Sequence, residues 1–220
     1  MKINVKSISI LLNILFLCGG LYLIYFFKDK IIKKIESKKQ FDVVLYGDSL
    51  IEDFEWQPKN REIKLTNIGY GGITTSELVW YIKDNVILKK PKICFLEGGI
   101  NDLTNGIPIE RTISNYSDMV DTLLHYDVKP VIMGTVLTRG YSKFITDLTP
   151  TNQFIDTLDL LLEKLANEKK GCEFLNINKS MSKNNNLIST YTDDGIHLNK
   201  EGYKAWSGII EAYLLKNNFK

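Results

Sequence analysis

The fold of this chain is decided by the stretch Val43-Val44-Leu45-Tyr46-Gly47-Asp48-Ser49-Leu50. Its first four residues form a short apolar run, which is typical of a buried strand. Glycine, aspartate and serine follow directly, and open α/β sheets place their chemistry at the C-terminal tips of such strands. The stretch therefore predicts the first strand of a parallel sheet, with a potential nucleophile at its end.

Outward from this stretch, short apolar runs bounded by Gly, Asn or Pro alternate with amphipathic segments. Alternation of this kind predicts an α/β domain with right-handed crossovers and a parallel sheet covered by helices on both faces. The expected strands are Asp42–Tyr46, Ile63–Asn67, Ile93–Glu97, Pro130–Val136 and Glu173–Ile177. Four helices are expected. The first begins at the capping-box spacing of Thr74–Glu77 and the second at Pro108. The third ends at Gly171, and the last contains Ala205–Tyr213.

Composition places the chain among globular proteins. It has 220 residues, of which 44% are hydrophobic and 25% charged, enough for one domain with a real core plus an extension. The formal net charge of +2 is too small to indicate nucleic-acid binding. We therefore expect no nucleic-acid partner.

The extension lies at the N-terminus. Residues Ile8–Phe27 carry no charge over 20 positions, about the length that crosses a bilayer, and lysines flank both sides. The apolar run is too long for a signal peptide and lacks a small-residue cleavage site. We expect residues 1–27 to form an N-terminal transmembrane helix that anchors the chain to a membrane.

Residues 28–40 form a basic connector with isoleucines at helical spacing. It could continue the membrane helix, lie along lipid headgroups or form a solvated stalk. The lysine excess on this side would place the following domain, residues 41–220, in the cytoplasm. An extracytoplasmic placement is the alternative, and the sequence leaves the orientation open.

A serine nucleophile needs a base, and the chain has two histidines. His125 lies near the end of a predicted helix, where a cation complements the helix dipole, so a structural role is expected. His197 lies in a loop before the last helix, and Asp194 stands three residues before it. At that spacing Asp194 can fold back to hold the imidazole of His197. Asp193 is an adjacent competitor, but its spacing is less suitable.

Two further turns should reach the same sheet edge as Ser49. Asn67–Gly72 follows the second predicted strand, and Gly98–Asp102 follows the third. Glycine backbone N–H groups, offered by Gly71 or Gly72, and the amide of Asn101 are uncharged donors of the kind that an oxyanion hole requires.

These residues together make the chain resemble the SGNH hydrolase superfamily, also called the GDSL lipase/esterase family. The stretch after the histidine, Leu198–Tyr213, resembles the branch containing bacterial platelet-activating-factor acetylhydrolase-like enzymes. The resemblance implies a flavodoxin-like three-layer α/β/α sandwich with a five-stranded parallel sheet. Four blocks carry it, in family order: Gly47–Leu50, Gly72 (five residues after Asn67), Gly99–Asp102 and Asp194–His197.

The resemblance also assigns roles. Ser49 would be the nucleophile, His197 the base and Asp194 its partner. The oxyanion hole would consist of the backbone N–H groups of Ser49 and Gly72 and the side-chain amide of Asn101. No cofactor and no metal are implied, and no clustered His/Cys ligand set suggests one.

The sequence thus predicts a membrane-anchored serine esterase acting on small acyl esters, O-acetyl groups above all, or on lipid esters. Its partners would be a small-molecule, lipid or carbohydrate ester and the membrane, and its oligomeric state is open. An O-acyltransferase acting on envelope polysaccharide would use the same residues. A non-catalytic binding module is disfavoured, because such proteins usually lose a catalytic residue. The long loop of residues 137–151 could shape the acyl or alcohol pocket.

Overall fold

Strand β1 (Val43–Gly47) is wholly buried and pairs in parallel with β2 (Leu65–Gly69) on one side and β3 (Ile93–Leu96) on the other. The computed structural model describes residues 5–36, 39–60, 62–139 and 149–219. Strands β4 (Lys129–Met133) and β5 (Glu173–Leu175) extend the sheet, and every pairing in it is parallel. The strand order β2-β1-β3-β4-β5 is the flavodoxin-like order.

The five predicted strands are therefore confirmed, with shifted ends. The second strand begins two residues later than expected and extends to Gly69, because this glycine pairs with Gly47 at the end of β1. The fourth ends at Met133 rather than at Val136.

Helices lie before, between and after the strands. The Thr74–Glu77 capping box is present, as its spacing predicted. A two-stranded hairpin, β6 (Ser182–Lys183) with β7 (Asn186–Leu187), and two short 3₁₀ turns complete the description. The helices are α1 (Val5–Glu36), α2 (Ser49–Glu52), α3 (Thr75–Asn85), α4 (Ile100–Thr104), α5 (Ile109–His125), α6 (Thr149–Glu168), α7 (Asn178–Met181) and α8 (Lys200–Lys216).

The sheet separates two hydrophobic cores. Alternate strand residues point to opposite faces, so Leu45 and Phe95 pack with Trp206 of α8, whereas Tyr46 and Leu96 pack against α3, α5 and α6. This arrangement is an α/β/α sandwich in which both faces of the parallel sheet are covered, as the near-continuous apolar strands require.

The chain divides into two compact units, residues 1–39 and residues 40–220. The first contains α1, whose large apolar side chains between Leu12 and Phe27 are exposed. Within the described residues, no helix combines the length and the apolar character needed to cross a membrane. The structure thus gives no support to the expected transmembrane helix in residues 1–27.

Two other expectations fall partly outside the described residues. The connector of residues 28–40 continues α1 as far as Glu36, and residues 37–38 lie outside the description. Most of the loop of residues 137–151 lies outside it as well, so its expected role at the pocket stays a prediction.

The close approach of β2 to α2 generates a stability prediction. A methyl group added at Gly69 would lie 2.0 Å from the backbone nitrogen of Glu52. We expect Gly69→Ala to lower the free energy of unfolding by about 1–3 kcal/mol or more, because the backbone on both sides must shift. Urea denaturation followed by circular dichroism measures this change.

Gly208 provides the matched control. It lies inside α8, and an added methyl group would meet no atom within 4 Å. Gly208→Ala should raise the free energy of unfolding by roughly 0.5–1 kcal/mol, since alanine loses less backbone entropy in a helix. Equal stability of the Gly69→Ala variant and the unsubstituted chain would contradict the packing described here.

Candidate active site

The candidate nucleophile lies where β1 turns directly into α2. Ser49 is the first residue of α2 and is half-buried, and the preceding Asp48 caps the helix. The Asp48 carboxylate accepts the N–H of Leu50 at 3.0 Å, as a helix N-cap does. The sharp turn therefore places the Ser49 backbone and hydroxyl at the carboxyl edge of the sheet.

A histidine and a carboxylate are paired in the loop before α8. Nδ1 of His197 lies 2.8 Å from Oδ2 of Asp194. The other oxygen, Oδ1, accepts the backbone N–H groups of Ile196 at 2.9 Å and His197 at 2.8 Å. Since Nδ1 faces the carboxylate, Nε2 is the ring nitrogen left to exchange a proton.

The electrostatics of this pair favour an ionised carboxylate. Partial burial pushes the pKa of Asp194 upward, but the hydrogen bonds from His197 and Ile196 outweigh burial and bring the pKa below its usual value. Asp193, the alternative partner, is exposed and accepts a hydrogen bond from Asn199 at 3.1 Å. Asp194, not Asp193, contacts the imidazole.

The helix that follows the histidine loop contacts the helix that begins at Ser49. The hydroxyl of Tyr203 in α8, six residues after His197, donates to the carbonyl of Leu50 in α2 at 3.0 Å. Burial raises the pKa of Asp48, and the neighbouring His197 acts in the opposite direction. In the described residues no hydrogen bond joins Ser49 to His197. Hydrogen bonds between catalytic groups are often long in the free enzyme and shorten when substrate binds.

The two remaining predicted donors lie at the same sheet edge. Asn101, in α4, is half-buried, and its Nδ2 donates to the carbonyl of Ile73 at 3.0 Å and lies 3.5 Å from Oδ2 of Asp48. Gly72 directly precedes Ile73, is exposed, and has φ of +74°, which glycine adopts without strain. The Ile73 carbonyl thus links the Asn101 amide to the Gly72 turn.

Sequence reasoning left one buried carboxylate of this edge without a role. Asp102 accepts the backbone N–H of Thr75 at 2.9 Å and the hydroxyl of Thr112 at 3.1 Å, and it also binds the Thr75 hydroxyl. It therefore ties α4 to α3 and α5, and so holds the turns that carry Gly72 and Asn101. Its position next to Asn101 was the one available signal.

His125 lies elsewhere. It is the last residue of α5, and its ring packs edge-on against Tyr126 at 4.9 Å between centroids. Since α5 leads into the amino end of β4, His125 is at the opposite edge of the sheet from Ser49. In the described part of the chain no cluster of His, Cys, Asp and Glu is arranged to hold a metal ion.

Comparison with known proteins places this geometry in context. Residues 45–205 match the GDSL-like lipase/acylhydrolase family. The chain is 26% identical over 135 residues to N-acylneuraminate cytidylyltransferase of Streptococcus agalactiae, a match that covers 61% of this chain and 31% of that protein. The chain thus spans about a third of the length of the curated relatives it matches.

Solved structures share the fold. One is a Streptococcus pneumoniae protein provisionally described as a platelet activating factor, with TM-score 0.74, 18% identity and coverage of 90% and 98% of the two chains. Another is a catalytic mutant of an acetylxylan esterase from Geobacillus stearothermophilus, with TM-score 0.63, 14% identity and coverage of 83% and 96%. Because the match spans 161 of the 220 residues, the chain belongs to the GDSL-like lipase/acylhydrolase family.

Proposed function

We propose that this chain is a serine esterase in which Ser49 is the nucleophile, His197 the base and Asp194 the group that orients the base. The observation that carries the proposal is the 2.8 Å contact between Nδ1 of His197 and Oδ2 of Asp194, in the loop before α8, the helix whose Tyr203 hydroxyl contacts Leu50 next to Ser49. The contact leaves Nε2 available to take the serine proton.

In the first half-reaction the Ser49 oxygen attacks the ester carbonyl carbon while Nε2 of His197 takes the hydroxyl proton. The carbonyl π electrons move to oxygen, and the resulting oxyanion accepts hydrogen bonds from the N–H groups of Ser49 and Gly72 and from Asn101. Losing one such donor typically costs roughly 10²–10³ in rate. Asp194 stabilises the imidazolium that forms.

The intermediate then collapses. The bond between the carbonyl carbon and the alcohol oxygen breaks, and the leaving alcohol takes the proton from His197. Water attacks the acyl group on Ser49 with the same histidine as base, which releases the carboxylic acid and restores the serine.

The substrate proposed first is an O-acetylated carbohydrate. Two of the similar proteins support this choice: an acetylxylan esterase shares the fold, and the curated relatives act on a sugar, N-acylneuraminate. A lipid ester is the alternative. An O-acyltransferase that passes the acyl group to a sugar hydroxyl instead of water would use the same residues.

Membrane attachment through residues 8–27 is a separate part of the proposal. The support is the uncharged 20-residue sequence with lysines on both sides and the exposure of its apolar side chains from Leu12 to Phe27. An exposed apolar surface of this extent is typical of a segment that binds a membrane or another protein, and the basic flanks match anionic lipid headgroups.

The two histidines give the sharpest test of the proposed catalysis. His197→Gln should lower turnover of acetyl esters on the order of 10⁴-fold, because the serine proton then has no acceptor. The measurement is acetate release from O-acetylated xylo-oligosaccharides and p-nitrophenol release from esters of increasing acyl length.

His125→Gln is the matched control, and its turnover should stay near that of the unsubstituted chain, since His125 lies at the opposite sheet edge. Comparable losses in both variants would contradict the assignment of the base. Faster turnover of long acyl esters than of acetylated sugars would favour a lipid substrate, and acetyl transfer to an added sugar in place of release would favour the acyltransferase.

Attachment is tested by fractionating cells that express the full chain or residues 41–220. The full chain should sediment with membranes and resist carbonate extraction, whereas residues 41–220 should stay in the supernatant, because only the former carries the apolar segment. Finding both forms in the supernatant would refute membrane attachment.

A further inference from the structure

A buried carboxyl group without a hydrogen-bond donor follows β3, the strand that pairs with β1 ahead of the candidate nucleophile. Glu97 follows β3 and is wholly buried, and neither of its carboxyl oxygens has a hydrogen-bond partner in the described structure. A buried carboxylate without donors is costly, and such a group generally keeps its proton instead.

The nearby hydroxyl groups are directed to another acceptor. The hydroxyls of Tyr116 and Thr135 both donate to the carbonyl of Gly98, at 2.9 Å and 3.2 Å. They fix the backbone after Glu97 but do not reach its side chain. Glu97 lies beside the turn that carries Asp48: its backbone N–H donates to the carbonyl of Tyr46 in β1 at 3.0 Å, and a methyl group added at the next residue, Gly98, would lie 3.9 Å from Oδ2 of Asp48. Asp48 is the neighbour whose charge acts most strongly on Glu97.

Two adjacent buried carboxyls cannot both be ionised at low cost, so one must hold a proton. Asp48 accepts the N–H of Leu50 at 3.0 Å and lies 3.5 Å from the amide nitrogen of Asn101, and the neighbouring His197 lowers its pKa. Each of these favours the anion at Asp48. Glu97 has no such donor, so Glu97 keeps the proton.

The electrostatics agree with this geometry. Burial, and next the Asp48 charge, raise the pKa of Glu97 well above its usual value. Burial also raises the pKa of Asp48, but the hydrogen bond from the Leu50 N–H and the neighbouring His197 act in the opposite direction. A protonated Glu97 can then donate a further hydrogen bond to Asp48.

We propose that Glu97 is a positioning residue, which as a neutral acid donates a hydrogen bond to Asp48 and so fixes the carboxylate that caps the Ser49 turn and faces the Asn101 amide. Its part in turnover rests on the proposed esterase function. Glu97 does not touch the substrate, and its influence passes through Asp48 to the serine turn and the oxyanion donor.

The proposal makes the site sensitive to alkaline pH. Once Glu97 ionises, it repels Asp48 instead of donating to it, and the serine turn loses its support. Burial raises the pKa of Tyr116 and of Tyr203, so neither accounts for that change. The ionisable groups around the pair are Asp102 in α4, Tyr116 in α5, Asp159 in α6, His197 in the loop before α8, and Tyr203 in α8.

The free energy of unfolding should also depend on the ionisation of Glu97. Because the folded-state pKa of Glu97 is raised, the unfolded chain releases this proton at lower pH than the folded chain does. The free energy of unfolding therefore falls as pH rises from the ordinary glutamate pKa through the folded-state pKa. Replacing Glu97 with glutamine should remove this decrease in the free energy of unfolding with rising pH.

The experiment compares the full chain with Glu97→Gln and Glu97→Ala. Glutamine keeps a neutral donor, so Glu97→Gln should hold kcat within a few-fold at neutral pH and should lose less kcat than the unsubstituted chain as pH becomes alkaline. Glu97→Ala should lose roughly 10- to 100-fold in kcat with little change in KM, the usual effect of removing a hydrogen bond to a charged group. Urea unfolding at neutral and alkaline pH provides a readout independent of catalysis.

Asp159→Asn is the matched control. Burial raises the pKa of Asp159 to about 7, although the N–H of Thr135 and the amide of Asn178 donate to it. This variant should keep the alkaline loss of kcat, because Glu97 is intact.

Identical alkaline profiles of Glu97→Gln and the unsubstituted chain, in kcat and in unfolding, would overturn the proposal, as would full kcat in Glu97→Ala. Absence of turnover in the unsubstituted chain would instead overturn the esterase function, while the unfolding comparison would still decide the role of Glu97.

Discussion

The parallel pairing of β1 with β2 and β3 is the constraint on which the rest of the site depends. In this register Gly47 lies opposite Gly69, and Tyr46 lies opposite Leu96. Parallel strands end at the same edge, so the turns after these three strands must meet there. The order reverses between β1 and β3, and such a switch point opens a crevice at the carboxyl ends of the strands.

Buried carboxylates as well as apolar packing stabilise the turns and helices that form the crevice. Asp48 caps the serine turn, and Asp102 binds Thr75 and Thr112 and so joins three helices around the edge. Each carboxylate accepts backbone or hydroxyl donors, which offsets the cost of burial. These bonds connect the elements around the site, and the Tyr203 hydroxyl connects α8, the helix after the His197 loop, to Leu50 in α2.

The sequence predicted the five strands, because short apolar runs bounded by Gly, Asn or Pro are local signals. It misjudged the bounds of β2, since the extension to Gly69 depends on the pairing with Gly47 and on contact with α2, which are not local. Likewise, the sequence predicted Glu97 only as the last residue of a strand. Its burial beside Asp48 depends on the pairing of β1 with β3, so no single segment of the sequence predicts it.

Catalysis as proposed requires that Ser49 form the covalent bond to the acyl group. A fluorophosphonate probe, which reacts with activated serine hydroxyls, tests this directly when the labelled chain is digested and the peptides are analysed by mass spectrometry. We expect a single adduct on Ser49, which is absent in Ser49→Ala and forms much more slowly in His197→Gln. Labelling of another residue, or equal labelling of the Ser49→Ala chain, would contradict it.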